Sequence, residues 1–297
     1  MRSEKLGTLF TIASGGTPNR SKPEYFADGQ IPWVKTGDLG GKYIAEPLEK
    51  ISQIGFDNSS TKVFPPKTVL VAMYGATIGS CSILDFEAAT NQACAAFLPN
   101  EEVHHEYLYY FLRSIKRKLI ALGQGGGQPN ISAAILKSIL IPVPEDFEDQ
   151  IRIAHLLDKV ERLIAQRKQH LGQLDDLLKS VFLEMFGDAV RNERGWEVHP
   201  LEELVADDCP LTYGIVQPGD EFPGGVPVVR PVDLTGDYVY LKGLKSINPI
   251  IASQFQRTKL LGGELLMCVR GTTGVLSIAS EELSGANVTR GITPISR

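Results

Sequence analysis

The chain has 297 residues, of which 43% are hydrophobic, and its 30 Lys and Arg stand against 35 Asp and Glu for a formal net charge of −5. This composition is typical of a globular protein and excludes a disordered, collagenous or low-complexity chain. The acidic balance argues against coating nucleic acid by bulk charge, so any nucleic-acid surface must be a local patch. No apolar run could span a membrane, no secretory leader is recognisable, and the four cysteines are widely spaced, which together predict a cytoplasmic protein with reduced thiols.

Short strands bounded by Gly and Pro are predicted along the first part of the chain. Thr68–Tyr74 is nearly all apolar and ends at Gly75, which is typical of a strand buried on both faces. Glu106–Ala121 has the apolar spacing of a helix, and Ile139–Val143 is predicted to be a further short strand. Residues 1–146 are therefore predicted to form a mixed α/β, strand-rich domain.

A long helix with a heptad repeat is predicted to follow this domain. Ten positions alternate spacings of four and three residues; Arg167 is the polar member, and the nine apolar members are Ile153, Leu157, Val160, Ile164, Leu171, Leu174, Leu178, Val181 and Met185. A strict 3.5-residue repeat is typical of a coiled-coil seam, so residues 147–187 are predicted to be a coiled-coil spacer helix running from about Glu148 to Phe186. Gly187 is a suitable residue to end it. The alternative is a long amphipathic helix that lies against its own domain.

The chain also contains a diverged internal repeat. Ile31–Leu39 matches Val226–Leu234 at an offset of 195 residues, including an apolar-Pro-apolar-Val-basic run and a closing Asp-Leu. Val69–Thr77 matches Leu265–Thr273 at an offset of 196. Ordered matches at a nearly constant offset predict that residues 196–297 form a second domain with the fold of the first. The predicted fold class is α+β, with two repeated mixed α/β domains separated by the long coiled-coil helix.

No catalytic or metal-binding constellation is recognisable in the sequence. The Gly-rich loop at 123–127 lacks the Gly-Lys-Ser/Thr of a Walker loop, and no Gly-x-Ser-x-Gly elbow occurs. None of the 35 acidic residues has Lys two positions later, the tripeptide that is common in metal-dependent nucleases. The pair His104-His105 lacks the spacing of metal ligands and fits a solvated helix face. These absences predict a binding protein that uses no metal or cofactor.

The order of several short motifs resembles the DNA-specificity (S) subunit of type I restriction-modification systems. The motifs are Leu6–Gly16 with Thr17-Pro18, Ile31–Val34 closing on Asp38-Leu39, Tyr74–Gly79, Gly127–Ile131, and Ile141–Pro144 leading through Glu148–Gln150 into Ile153-Ala154. The resemblance implies that each globular half is a target recognition domain for one half of a split DNA site, and that the long helices dock methyltransferase (M) subunits. It also implies that the S subunit catalyses nothing, since the M subunits carry S-adenosylmethionine and a restriction (R) subunit carries ATP-driven cleavage.

Candidate DNA-binding residues are polar and basic side chains on predicted loops, because such groups pair with base edges and phosphates. In the first domain they are Lys35, Tyr74, Asn91, Gln92, Gln124, Gln128 and Asn130, and in the second they are Arg230, Arg270, Asn287 and Arg290. By the offsets, Lys35 pairs with Arg230 and Asn91 with Asn287. The structural alternatives are that the two asparagines hold turn backbones, and that the two basic residues pair with Asp38 and Asp233. Positions that match between the repeats are expected to hold the fold or phosphates, and positions that differ to read bases.

The apolar seam is predicted to be a subunit interface, because nine exposed apolar side chains would promote aggregation. The expected partner helix comes from a repeat, an M subunit or a second copy, so the chain alone is expected to self-associate. Two other classes of function remain open at this point. One is a non-catalytic binding protein that dimerises through the coiled coil, and the other is an enzyme with an unrecognised site.

The repeat offset also bears on chain length. One repeat unit occupies 195 residues, so Arg297 corresponds to Glu101 of the first copy by the later offset of 196. The second recognition domain is therefore expected to be incomplete. The chain is expected to be a fragment, a truncated S subunit without autonomous function, or a one-and-a-half-unit protein that regains symmetry by dimerising.

Overall fold

The computed structural model describes residues 2–123, 130–207, 209 and 211–296. It divides into two compact units, Met1–Val181 and Phe182–Arg297, which are described separately below. The strands of the first unit are β1 (Arg2–Lys5), β2 (Ile12–Ser14), β3 (Ile31–Val34), β4 (Lys50–Ile51), β5 (Val63–Phe64), β6 (Val69–Ala72), β7 (Cys81–Ile83), β8 (Ala88–Thr90), β9 (Cys94–Phe97) and β10 (Leu140–Val143). Its helices are α1 (Leu6–Leu9), α2 (Gln53–Asp57), α3 (His105–Ser114), α4 (Lys116–Leu122), α5 (Ala133–Ser138) and most of α6 (Phe147–Phe186).

Two four-stranded sheets form the body of the first unit. The first has the order β2-β9-β6-β7, with every pair antiparallel. The second has the order β4-β3-β8-β5, and its central pair, β3 and β8, is parallel. Strand β1 pairs separately with β10, which brings the start of the chain to the segment that precedes α6.

Strand β6 is buried on both faces, as its apolar sequence predicts. Val69 and Val71 pack into a core that includes residues of α3, α4 and α5, whereas Leu70 and Ala72 pack into a second core facing the other sheet. Antiparallel strands commonly have one solvated face, but here helices cover one side and a sheet covers the other. The helix predicted over Glu106–Ala121 is present as two helices, α3 and α4, because Ile115 leaves the helical conformation between them.

The second unit repeats the two-sheet body. Its elements are the end of α6, α7 (Leu201–Leu204), β11 (Val226–Val229), β12 (Tyr238–Val239), β13 (Lys245–Ile247), α8 (Pro249–Ala252), β14 (Leu265–Cys268), β15 (Leu276–Ala279), β16 (Asn287–Val288) and β17 (Ile292–Ile295). The sheet orders are β12-β15-β14-β17 and β13-β11-β16. One main core lies between these sheets. On the other face of β14 and β15, Leu276 is about half exposed.

The predicted repeat is confirmed by matching hydrogen bonds. Strand β3 runs parallel to β8, and β11 runs parallel to β16. The buried hydroxyl of Ser82 donates to the carbonyl of Gly41 at 2.6 Å, and that of Ser277 donates to Gly236 at 2.6 Å. These contacts join positions 195 residues apart in the two units, so the two-sheet bodies share one fold.

The long helix is confirmed with nearly the predicted bounds. Helix α6 has 40 residues, which corresponds to about 60 Å at 1.5 Å per residue. It ends at Gly187, which has a φ of +76° and whose backbone N–H donates to the carbonyl of Leu183 at 2.8 Å. The indole of Trp196 donates to the carbonyl of Phe186 at 2.7 Å and Arg194 to that of Glu184 at 2.5 Å, so side chains beyond the helix satisfy its last carbonyls.

Buried polar contacts attach the start of α6 to the first unit. The side chain of Gln150 accepts from the backbone N–H of His104 at 2.9 Å and donates to the carbonyl of Glu102 at 3.0 Å. About two turns further along the helix, Asp158 lies 3.0 Å from Lys42, which also lies 2.8 Å from Glu106. Because Gln150 is buried, its amide replaces water for two backbone groups and joins the helix firmly to the domain.

Candidate nucleic-acid interface

The strand ends of the first unit bring its predicted site residues together. Lys35 follows β3, and Asn91 and Gln92 follow β8. Because these strands are parallel, their carboxyl ends meet at one edge, where the N–H of Asn91 donates to the carbonyl of Val34 at 3.0 Å. The side-chain oxygen of Asn91 is buried and accepts no hydrogen bond among the described residues. We call this edge, together with the end of β6, the strand-end surface.

Tyr74 and Asn130 complete the strand-end surface of the first unit. Tyr74 follows β6, forms an isolated β-bridge with Asn130, and is 42% exposed. Next to it, the N–H of Met73 donates to the carbonyl of Ala93 at 2.8 Å, which places Tyr74 beside the loop that carries Asn91 and Gln92. Two further candidates, Gln124 and Gln128, lie outside the described residues.

A glycine-containing loop lies along the same edge. The N–H of Gly16 donates to the carbonyl of Thr90 at 2.9 Å. A Cβ on Gly15 would lie 1.8 Å from that carbonyl oxygen, so only glycine permits this approach. The hydroxyl of Thr17 then donates to the side-chain oxygen of Gln92. The loop therefore orients Gln92, which is exposed.

Lys35 has a different partner from the one proposed as its structural alternative. Asp38 accepts from the backbone N–H of Lys35 at 2.7 Å, whereas the ammonium of Lys35 pairs with Glu49. Glu49 also lies 2.7 Å from Arg20. The hydrogen bond from Lys35 is the main cause that lowers the pKa of Glu49 below its ordinary value.

Arg20 is a further candidate site residue, which the sequence alone did not indicate. Its guanidinium lies 4.7 Å from the ring centre of Phe26 and 4.9 Å from that of Trp33. An arginine stacked on two rings and paired with a carboxylate is held in one orientation. A basic residue shortly before two aromatic residues is the only sequence signal for this arrangement.

The strand-end surface of the second unit is built in the same way from different side chains. Arg230 follows β11, and Thr289 and Arg290 follow β16. The N–H of Thr289 donates to the carbonyl of Val229 at 2.9 Å, the counterpart of the bond from Asn91 to Val34. Asn91 therefore corresponds to Thr289 and Gln92 to Arg290. The predicted pairing of Asn91 with Asn287 is wrong. Four residues separate β7 from β8 but seven separate β15 from β16, so the offset between corresponding residues increases after this connection.

Asn287 itself is a buried structural residue. Its side-chain oxygen accepts from the hydroxyl of Thr258 at 2.7 Å and from the N–H of Val288 at 2.8 Å. Its amide nitrogen donates to the carbonyl of Phe255 at 2.9 Å. Because both ends of the amide are bonded within the chain and the residue is 2% exposed, the structure places it in the core and away from the strand-end surface.

Three arginines converge on the second strand-end surface. A Cβ on Gly291 would lie 2.6 Å from Cγ of Pro231 and 3.7 Å from the carbonyl oxygen of Arg270, so the ends of β11, β14 and β16 meet there. Arg270 and Arg290 are exposed, and neither side chain forms an ion pair within the described part of the chain. Arg230 pairs with Asp233 at 2.8 Å, as its structural alternative proposed, and the hydrogen bond that it donates to Asp233 is the main cause that raises the pKa of Arg230.

The chain matches a family model described as "Type I restriction modification DNA specificity domain" over residues 2–174. This match covers more than half of the chain. The chain belongs to this family. It is 28% identical over 222 residues to the type I restriction enzyme MjaIX specificity subunit of Methanocaldococcus jannaschii, covering 68% of this chain and 51% of that protein. It is also 28% identical over 163 residues to the EcoR124I/EcoR124II specificity subunit of Escherichia coli, covering 53% and 40%.

A solved structure of a type I R-M system supports the fold of this specificity-domain chain. One of its chains aligns with a TM-score of 0.50 and 24% sequence identity over 61% of this chain and 43% of its own length. Both the mixed α/β fold and the long helix of this family are therefore present here. The chain spans about half the length of the curated relatives described above.

The apolar seam of this specificity-domain chain is largely exposed. Ile153 packs partly against the first core, but the other eight seam residues, Leu157, Val160, Ile164, Leu171, Leu174, Leu178, Val181 and Met185, are each at least 41% exposed. Leu156, Leu163 and Leu177 precede seam positions and are also exposed. The apolar stripe is therefore wider than the predicted two positions per heptad.

Three further findings concern the described residues. No group of three or more His, Cys, Asp or Glu among them could hold a metal ion, and none of their helices is long and apolar enough to cross a membrane. Burial raises the pKa values of the Cys81 and Cys94 thiols to about 12, so both thiols are protonated at neutral pH.

Proposed function

We propose that this chain is a sequence-reading subunit of a type I restriction-modification complex. Its ligand is double-stranded DNA, and each of its two domains reads one half of a split site. The observation that carries this proposal is the strand-end surface, which is built twice from the same hydrogen-bond pattern but presents different side chains in each unit. Such pairs of readers suit a site whose two halves differ in sequence.

The side chains on these surfaces suit base edges and phosphates. Asn91, Gln92 and Asn130 carry amides that both donate and accept, and Arg270 and Arg290 carry unpaired guanidinium groups within the described part of the chain. In the major groove all four base pairs present distinct donors and acceptors, so a few such groups suffice to distinguish sequences. The local cations also explain how a chain of net charge −5 approaches DNA.

The seam of α6 supports the second part of the proposal, a subunit interface. Eight exposed apolar side chains in a heptad pattern need a facing helix, because water does not stabilise such a stripe. We propose that methyltransferase subunits dock on this helix and that, in their absence, a second copy of the chain covers it. The M subunits then bring S-adenosylmethionine, an R subunit brings cleavage, and this chain acts without catalysis of its own.

Selection from a fully randomised duplex library tests this function. The whole chain is mixed with an M subunit, bound DNA is recovered by mobility shift, and the bound fraction is sequenced. We expect enrichment of a bipartite motif with a fixed gap. A triple variant in which Arg230, Arg270 and Arg290 are all changed to Gln should lose the second half-motif while keeping the first. No enrichment from a confirmed complex of the two subunits would contradict the proposal.

A further inference from the structure

One position shows the same backbone in both units but different side-chain chemistry. After β3, the N–H of Lys35 donates to the carboxylate of Asp38 at 2.7 Å. After β11, the N–H of Arg230 donates to the carboxylate of Asp233 at 2.8 Å. The turn that follows is helical in both units, over Thr36–Asp38 and Pro231–Asp233. The fold therefore holds the two backbones alike, and only the side chain distinguishes the two units.

The side chain of Arg230 is held in a single orientation. Its Nε donates to Oδ2 of Asp233 at 3.0 Å, and its Nη2 donates to Oδ1 at 2.8 Å. The carboxylate is nearly buried, with 12% of its side chain exposed, whereas 36% of the arginine side chain is exposed. A two-point pair between planar groups fixes the plane of the guanidinium as well as its position.

Among the described residues, this pairing leaves three N–H groups of the guanidinium without a hydrogen-bond partner. Of its five N–H groups, one on Nε and one on Nη2 bind Asp233. The remaining three include two neighbouring groups, one on Nη1 and one on Nη2, that point the same way. Two parallel donors on one edge match the neighbouring acceptors O6 and N7 of guanine in the major groove.

The charge of the pair favours a base over a phosphate. Asp233 neutralises most of the field of Arg230 beyond the first contact, so a phosphate gains little by approaching it. A base edge is recognised by donor geometry and does not require net charge. The fixed orientation also reduces the conformational entropy that the side chain loses on binding.

We propose that Arg230, held by Asp233, reads one guanine in the half-site bound by the second domain. This inference rests on the proposed function and specifies one of its contacts. In the first unit Asp38 binds only the backbone at this position, and the Lys35 ammonium is drawn to Glu49 instead. The corresponding position of the first half-site is therefore read differently, and the two halves of the target differ there.

The test compares the enriched motifs and salt dependence of four variants of the whole chain with its M subunit. Arg230→Lys keeps the charge and removes the two-donor edge, and Arg230→Gln offers an amide that suits adenine. Asp233→Asn keeps an oxygen for the turn but weakens the hold on the guanidinium. Arg257→Lys is the matched control, because Arg257 is exposed in the same unit but precedes β14 at the opposite end of that strand from Arg270. Circular dichroism confirms that each variant is folded.

In Arg230→Lys we expect the preference for guanine over the other bases at one position of the second half-motif to fall about 5- to 100-fold. Arg230→Gln should shift that position towards adenine, and Asp233→Asn should weaken the preference while making binding more sensitive to salt, because the freed cation then pairs with phosphate. The control should retain the wild-type motif.

Uniform weakening of binding in Arg230→Gln, with a salt slope reduced by about one and an unchanged motif, would identify a phosphate contact. That result would overturn this inference but not the proposed function. Absence of any motif in the wild type would overturn the proposed function with it.

Discussion

The ammonium of Lys35 has a carboxylate partner within the chain, and we expect this partner to influence the contact with DNA that we propose for Lys35. Glu49 lies between Lys35 and Arg20, and their positive charges keep its carboxyl ionised by lowering its pKa. The three side chains together carry one net positive charge on the strand-end surface of the first unit. A phosphate that approaches this cluster competes with Glu49 for both cations. Removing a cation and removing the negative charge of Glu49 should therefore have opposite effects on DNA binding.

Lys35→Ala is therefore expected to weaken binding to all DNA sequences and to reduce the salt slope of binding by about one. Glu49→Gln, which leaves both cations in place, is expected to strengthen binding and steepen the slope. Fluorescence anisotropy titrations at several salt concentrations measure both effects. If Lys35→Ala leaves binding unchanged at every salt concentration, Lys35 does not contact a phosphate.

Gln150 shows how one buried amide connects the helix to the domain. Gln150→Leu would remove the partners of the His104 N–H and the Glu102 carbonyl, and we expect unfolding of the first unit to become easier by about 2 kcal/mol. Denaturant titration of a Trp196→Phe background, in which Trp33 alone reports fluorescence, measures this change. Gln173→Leu is the matched control, because Gln173 is exposed on the same helix. Equal loss of stability in the two variants would contradict the role assigned to Gln150.

At the scale of elements, α6 contains two glycines in opposite situations. Gly172 is inside the helix and a Cβ there would meet nothing within 4 Å, whereas Gly187 ends the helix at a φ of +76°. Gly172→Ala should stabilise the helix by about 0.5–1 kcal/mol, because alanine loses less backbone freedom. Gly187→Ala should destabilise it by about 1 kcal/mol, because an L-residue is strained at positive φ. Thermal unfolding followed by far-ultraviolet circular dichroism should give shifts of opposite sign; shifts of the same sign would contradict this account.

The seam of the same helix leads to a prediction about association. Leu171→Lys combined with Leu178→Lys places charges in the exposed apolar stripe, and we expect it to abolish self-association of the isolated chain. Gln166→Lys combined with Gln173→Lys adds the same charge on the polar face and should leave association unchanged. Sedimentation velocity over a range of concentrations distinguishes them. A wild-type chain that stays monomeric at micromolar concentration would show that no second copy covers the seam.

At the scale of the whole molecule, the proposed function predicts that affinity depends on both half-sites, because two reading domains would then lie on one chain. Once one domain is bound, the second binds as an intramolecular partner if the gap between half-sites fits. DNA carrying both half-motifs at the selected gap should bind about 100-fold or more tightly than DNA with either half scrambled. Changing the length of the gap while keeping both half-motifs should reduce the affinity by the same factor. Equal affinities for the intact and half-scrambled duplexes would show that the two domains do not act together.

The local sequence already determined much of this molecule. The heptad positions predicted α6 within one residue at its start, and Gly187 predicted its end, because helical periodicity and left-handed caps depend on neighbouring residues. The internal repeat predicted two domains with one fold. This prediction also rests on local sequence, because each apolar run ends at a Gly or Pro turn. Lys35, Tyr74, Asn91, Gln92 and Asn130 lie outside the named helices and strands, and the strand ends bring them to one edge.

Only the tertiary structure decided how these positions correspond and pair. Asn91 corresponds to Thr289 because hydrogen bonds between strands determine the register, and the longer connection before β16 changes the sequence offset. The ammonium of Lys35 binds Glu49, whereas Arg230 binds the aspartate three residues away, because Lys245 stands in the second unit where Glu49 stands in the first. Burial of Asn287 and stacking of Arg20 likewise join residues distant in the chain. Such contacts depend on which strands lie next to each other in space, and the local periodicity of the sequence does not determine this.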